Sequence, residues 1–403
     1  MMGKTFQWEA RYTVLSIIFV VQIVSFMDRM AMSVAIPYIA VDYALSPLAM
    51  GVVLSAFFAS YSISQIPGGF LADRFGARRV ATVAMMWWSA FTAITGAAGN
   101  LTQMLMARFC FGLGEGVYPA CAFKTIAVWF PRKERATATA VMLASSALGT
   151  ALAPLAVVRI VTHWGWRTVF YSLFLPGILV ALLFWIFIPD KPSESSPVSP
   201  EKTGFAGILR QPTVLKCFFV LFTFDIAFWG FTTWLPTYLV KARGFSTVEM
   251  GAAASLPFFA GAVGSIVGGS VSDRYFSNNR RIPILATQLV SALLLYLTFT
   301  ASSVNTLLIC QTLAGFCLMF FFPAFWALPM NTVPKELMGV ASGFINMAGQ
   351  VAAFITPVSI GYLVGAAGGT FDMTFMLLIV CVLASCAIAL TLPSSITSMN
   401  STR

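Results

Sequence analysis

Charge is what this chain has least of. Only 9% of its 403 residues are Asp, Glu, Lys or Arg, while 59% are hydrophobic, against roughly a quarter charged in soluble domains. That scarcity excludes a water-soluble fold. Histidine occurs once, as His163 in an HWGWR turn, so no metal site can be anchored on imidazoles. The seven cysteines, at positions 110, 121, 217, 310, 317, 381 and 386, show no ligand spacing and read as small packing residues. No G-x-x-x-x-G-K-[ST] loop is present, which argues against direct drive by ATP. Long polar sequence is scarce too. The one such stretch runs from Asp190 to Pro212 and carries DKPSESSPVSPEKTG, whose Pro and Ser content resists regular structure.

Apolar helix fills the rest. A hydrocarbon core ~30 Å thick asks for ~20 apolar residues per crossing. Twelve such spans are expected, over 12–36, 48–71, 80–99, 102–130, 136–161, 168–188, 214–240, 247–271, 282–302, 304–328, 337–364 and 370–392. The short alternating segments of barrel strands are missing, so helices must satisfy the backbone. The expected fold is all-α and integral to a membrane, with twelve transmembrane helices in two six-helix halves. Residues 1–190 form the amino-terminal bundle, 191–213 a cytoplasmic linker and 214–403 the carboxy-terminal bundle. Met1 to Ala10 is polar and no A-x-A-like site follows the first span, so that span is expected to stay in place.

The net charge of +10 does not require nucleic acid, because the basic residues sort by topology. Seventeen of the 24 fall on the side of the amino terminus, against Arg159, Arg167, Lys241 and Arg243 on the other. The bias predicts a multi-pass protein of the plasma (inner) membrane with both termini cytoplasmic. The three that remain, Arg29, Arg108 and Lys124, lie within spans.

The two halves are related in sequence. A gapless shift of 200 positions aligns Ser46 with Ser246, Gly51 with Gly251, Phe58 with Phe258, Gly68-Gly69 with Gly268-Gly269 and Asp73-Arg74 with Asp273-Arg274. A parallel six-helix repeat is the architecture of carriers whose site lies near the midplane, between halves that rock around it.

The segment Gly69 to Arg79, GFLADRFGARR, resembles the signature loop of the major facilitator superfamily. That resemblance implies a gating role for Gly69, Asp73, Arg74, Gly76 and Arg78, with Asp73 bracing a neighbouring helix end. It extends to Asp273 and Arg274 in the partial copy. FMDRMAMSVAIP from Phe26, ARFCFGLGEGVYPA from Ala107, TTWLPTYL from Thr232 and FWALP from Phe325 resemble the anion:cation symporters of that superfamily, the type of the galactonate and hexuronate carriers. The resemblance implies import of a sugar acid or other carboxylate with protons. It gives Arg29 the substrate contact and makes Tyr61, Trp326 and Asn346 pocket residues, each of which could equally be packing.

Physics bears on the same residues. A charge at the centre of a spanning helix costs about 2.5–3.5 kcal/mol even on gentle scales. Asp28 lies about 24 Å along the first span. Arg29 points about 100° away from it, and offers a carboxylate a fork of donors or a salt bridge to another helix. Arg108 and Glu115 are seven apart, on one face; Arg108 is open between substrate contact and pairing with Glu115 or Asp28. Asp28 and Glu115 are the proton-coupling candidates, since burial and a nearby arginine act oppositely on a carboxyl group. Asp225 is a lining residue, a second coupling site or a hydrogen-bond partner, and Lys124 is expected to snorkel. Glycines 112, 114 and 116 with Pro119 suit close packing and a bend. The expected partners are a small organic anion, H+ and the bilayer, with no nucleic acid and no cofactor beyond the proton, acting as a monomer. The rival is a drug:proton exporter, whose glycine-rich G-P-x-x-G-G stretch is replaced here by ALGTALAPLAVV. A phosphate-ester exchanger and a membrane receptor are weaker still.

Overall fold

A computed structural model describes residues 10–131, 134–189, 211–333 and 335–393. The linker expected over 191–213 lies outside the described residues as far as 210, as do both termini with Lys4 and Arg403. Among the described residues every regular element is a helix. They are α1 (Ala10–Asp42), α2 (Pro47–Phe75), α3 (Ala77–Ala97), α4 (Leu101–Glu115), α5 (Tyr118–Trp129), α6 (Arg135–Phe187), α7 (Pro212–Lys241), α8 (Thr247–Tyr275), α9 (Arg281–Thr300), α10 (Val304–Thr332), α11 (Lys335–Ala366) and α12 (Asp372–Ala389).

Ten of the described helices are long and apolar enough to cross a membrane, and the sequence accounts for the remaining two crossings. The 53-residue α6 would run about 80 Å if straight. Gly165, at φ 79°, ψ 168°, breaks it. The part before Gly165 packs on α1, where Gln22 donates to Ser146 at 2.9 Å. The part after it packs on α3, where Gly96 sits against Phe170 and Gly177 against Ser89. Spans five and six are thus two helices that meet at a sharp corner at Gly165. Span four is divided instead. Gly116 and Val117 separate α4 from α5, and a Cβ at Gly112 or Gly116 would overlap Ser60 or Ser64 of α2.

Several helices outrun their expected ends because proline does not stop them. Pro37 lies inside α1, which continues to Asp42, and Pro329 inside α10, which continues to Thr332. Neighbouring helices re-satisfy the freed carbonyls inside a membrane bundle.

The repeat is visible in the caps. Ser46 accepts from Ala49 N and opens α2; Ser246 forms a capping box with Glu249 and opens α8. Ala44 (φ 48°) and Gly244 (φ 69°) turn the chain just before them. One residue earlier, the Tyr43 hydroxyl donates to the Ala98 carbonyl and Arg243 donates to the Ala301 carbonyl. We call this the turn end of the molecule, and the opposite end, with the α2–α3 and α8–α9 connections, the loop end.

The halves meet toward the turn end. One buried cluster joins Ala31 to Ala40 of α1 and Met50 to Leu54 of α2 with the carboxy-terminal half. A second holds much of the loop-end side of the amino-terminal half with Ala353 of α11. Two seams make the contact. A Cβ at Gly51 of α2 would overlap the Pro357 carbonyl oxygen of α11, and one at Gly361 of α11 would overlap the Pro47 carbonyl oxygen. In the other seam, a Cβ at Gly251 of α8 would stand 3.1 Å from the Pro154 carbonyl oxygen and still closer to Val158, both on α6. Small residues let membrane helices approach backbone to backbone, which packing rather than hydrophobicity must reward in lipid.

Candidate functional site

The two halves enclose a narrow cavity lined by Arg29, Met30, Met32 and Ser33 of α1, Leu54, Phe57 and Phe58 of α2, Arg108 of α4, and Trp229 and Thr233 of α7. Here the chain gathers the charges that its sequence places at membrane depth. Arg29 Nη2 meets Glu115 Oε1 at 3.0 Å, and Ser25 donates to the same oxygen at 2.5 Å. The guanidinium also stacks near three rings, with centroids at 4.5 Å for Phe26, 5.0 Å for Phe57 and 4.7 Å for Tyr61. Such rings attract a cation more strongly where water is excluded.

The cluster is not fully satisfied. Glu115 Oε2, both Asp28 oxygens, and Arg108 Nε and Nη1 are buried without a hydrogen-bond partner. Asp28 and Glu115 are each 1% exposed and Arg108 2%. Arg108 lies 4.3 Å from the Phe111 ring and within electrostatic reach of Asp28, Glu115 and Arg29. Buried polar groups almost always have partners, and these atoms are free to take one. Two positive and two negative groups with spare donors and acceptors can hold an anion and exchange a proton.

Of the two arginines on offer, Glu115 takes Arg29 across α1 and α4; Arg108, its neighbour on the same face, keeps free donors. Tyr61 contributes through Arg29. Trp326 is half-buried, with its ring edge on Phe325 at 5.6 Å, and Asn346 is half-buried on α11. Neither lines the cavity. The phenylalanines around Trp326 pack partly inward: Phe321 and Phe325 are fully buried, and Phe321 stacks on Phe224 at 3.7 Å. Asp225 is 6% exposed with Oδ1 unpartnered. Sequence reasoning missed Phe57, Phe58, Trp229 and Thr233. The signal for the last two is helical period, since Asp225, Trp229 and Thr233 follow one another at four-residue steps.

At the loop end, Lys124 donates to Asp73 at 2.8 Å and to the Ala72 carbonyl at 2.9 Å. Gly76 (φ 87°) closes α2 and starts α3. Arg78 donates to the Trp185 carbonyl at 2.8 Å and stacks over that indole. Arg74 lies over Phe75, and a Cβ on Gly69 would meet nothing. In the copy, Asp273 pairs with Arg280 at 2.7 Å and Arg274 lies over Tyr275.

Comparison with known proteins accords with this architecture. The family model described as Major Facilitator Superfamily matches residues 18–357. The probable sulfoacetate transporter SauU of Cupriavidus necator is 32% identical, over 92% of this chain and 90% of its own. The probable galactarate/D-glucarate transporter GarP of Escherichia coli K12 is 31% identical over 88% of each, and the hexuronate transporter of Bacillus subtilis 30% identical over 90% of each. In fold, the chain superposes on a bacterial homolog of the human lysosomal transporter Spinster, in an inward-facing and occupied conformation, with a TM-score of 0.83 over 96% of this chain and 97% of that one at 17% identity. A D-xylose-proton symporter gives a TM-score of 0.77 over 96% and 99% at 15% identity. Sequence, repeat, fold and buried charge thus converge, and the chain belongs to the Major Facilitator Superfamily, a membrane transporter and not an enzyme.

Proposed function

We propose that the protein imports a small organic carboxylate together with protons, by alternating access across the inner membrane, as a monomer with both termini in the cytoplasm. The observation that carries this reading is the Arg29–Glu115 pair, buried with the unpartnered Asp28 and Arg108 beside a cavity between the halves. A guanidinium is the side chain best shaped to grip a carboxylate with two parallel bonds. When the substrate takes Arg29, Glu115 loses its cation. A bare carboxylate in a dry site costs several kcal/mol, and a proton removes that cost. Anion arrival and proton binding are thereby linked through one arginine.

The relatives are named as a probable sulfoacetate transporter, a probable galactarate/D-glucarate transporter and a hexuronate transporter, and all these compounds are small organic anions. The cavity wall here offers aromatic rings and methionines with two hydroxyls, Ser33 and Thr233, which favours a compact carboxylate with few hydroxyl groups over a long polyol. With the basic bias placing the loop end inside, the turn-end seams close the outer side and the cavity belongs to an outward-closed state.

The test is purified protein in vesicles loaded with a pH-sensitive dye, challenged with sulfoacetate, galactarate, hexuronates and aromatic acids. We expect at least one anion to enter with protons and to raise the melting temperature by mass action. Silence from every anion alongside a response to organic cations overturns the reading.

A further inference from the structure

Among the described residues, Asp225 is the one charged group of α7–α12 that stands well inside a helix. On α7 the others are Lys216 and Lys241, toward its two ends. Glu249 opens α8 while Asp273 and Arg274 close it. Asp372 opens α12, and α10 carries no charge at all. Lys335 and Glu336 are the first two residues of α11. Asp225 instead lies thirteen residues into α7, about 20 Å along its axis.

Its surroundings offer nothing to neutralise it. The carboxyl is 6% exposed, and Oδ1 is buried without a donor. On the other side Oδ2 lies against Gly349 of α11, where any Cβ would overlap it. The helices packed on α7 are α1, α8, α10, α11 and α12, and no titratable group on them acts electrostatically on Asp225. The nearest charges by element, Asp28 and Arg29 of α1, belong to the amino-terminal cluster, where Arg29 is held by Glu115. The described residues contain no group of acids, histidines or cysteines that could hold a metal ion there. An ionised carboxylate with no partner is among the costliest things a membrane interior can contain, whereas a neutral acid can be buried against a glycine.

The same carboxyl lies on the stripe that reaches the cavity. Trp229 and Thr233, four and eight residues on, line it, so Asp225 stands about 6 Å of helical rise below Trp229 on the loop-end side. We propose that Asp225 is a second proton-binding site, one in the carboxy-terminal half, loaded while α7 and α11 are packed and discharged to loop-end water when they part. This rests on the proton-coupled reading above. Loading transfers one proton from hydronium to a carboxylate oxygen: one O–H bond of the hydronium breaks, leaving water, and one O–H bond forms on Asp225. The position links the proton to the gate through α11, which carries both Gly349 beside Asp225 and the Pro357–Gly361 stretch that meets α2. Charge appearing at the Asp225–Gly349 contact works against the packing of α11 that closes the turn end, and a returning proton restores it.

The test is infrared spectroscopy of the purified full chain in phosphatidylethanolamine and phosphatidylglycerol vesicles, with no substrate. At neutral pH we expect a protonated-carboxyl carbonyl band that shifts in heavy water, persists in Asp28→Asn and Glu115→Gln, and is lost in Asp225→Asn. We expect it to fall reversibly in alkaline buffer. Asp225→Ser serves as a second variant should the Asn form not remain helical and monodisperse. An Asp225→Asn spectrum that coincides with the unsubstituted one, or a band that no alkaline buffer removes, overturns the proposal. Failure here differs from failure of the symport reading, which shows as anion entry without proton entry, or no anion entry at all.

Discussion

Arg29 and Glu115 are joined at 3.0 Å between α1 and α4, yet Glu115 keeps its second oxygen buried and without a donor. The pair is thus half of a site, complete in charge and incomplete in hydrogen bonds. Truncating one member of such a buried pair costs about 3–5 kcal/mol because the other charge is stranded.

Glu115→Gln keeps an acceptor for Ser25 and Arg29 but cannot carry a proton. We expect uphill accumulation in vesicles under an imposed proton gradient to vanish, while counterflow exchange of the same anion continues. A variant that still concentrates its substrate contradicts the role given to Glu115.

Arg29→Lys preserves charge and discards the fork and the stacking on Phe26, Phe57 and Tyr61. Losing one charge-assisted hydrogen bond is worth about 1.5–3 kcal/mol, or roughly ten- to hundredfold in Kd. Calorimetric titration of the best anion from the panel checks it, and unchanged affinity would remove Arg29 from the binding site.

Gly51→Ala places a methyl group on the Pro357 carbonyl, which is backbone and cannot swing aside. Overpacking of this kind costs about 1–3 kcal/mol, enough to move an open–closed balance roughly five- to hundredfold toward an open turn end. In a background without the seven native cysteines, Leu54→Cys on the cavity wall should then react faster with an impermeant maleimide. Gly365→Ala, where a Cβ meets nothing, should leave that rate alone.

Asp73 and Lys124 make an ion pair at 2.8 Å whose carboxylate side chain is 77% exposed. Pairs this wet contribute about 0–1 kcal/mol. Asp73→Asn should therefore shift the melting temperature by no more than a degree or two while lowering transport turnover, because the expected role of the loop is in switching rather than in holding the fold. Equal losses of stability and turnover would refute that role.

The crossings were legible because a bilayer sets a length that soluble folding does not, and the deep charges because so few are tolerated. Partner choice was not. The seven-residue spacing of Arg108 and Glu115 places both on one face, but it says nothing about which arginine an adjacent helix will present. Aromatic residues hid the rest of the cavity, since Phe57, Phe58 and Trp229 have the same apolar signature whether they face lipid, core or substrate. Gly51 and Gly251 could be read as repeat partners, while their meeting with Pro357 and Pro154 depends on how two halves dock, which no local pattern encodes.

The seams at the turn end are built from glycines, proline carbonyl groups and the apolar side chain of Val158. These glycine, carbonyl and valine contacts contain no ionisable group, so neither acidity nor the identity of the passenger acts on them directly. Both must act from a distance, through the helices that carry Arg29, Glu115 and Asp225. The latch, on α2, α6, α8 and α11, and the scale that weighs the load, on α1, α4 and α7, are therefore separate helices of one bundle, and evolution can retune what is carried without rebuilding what closes.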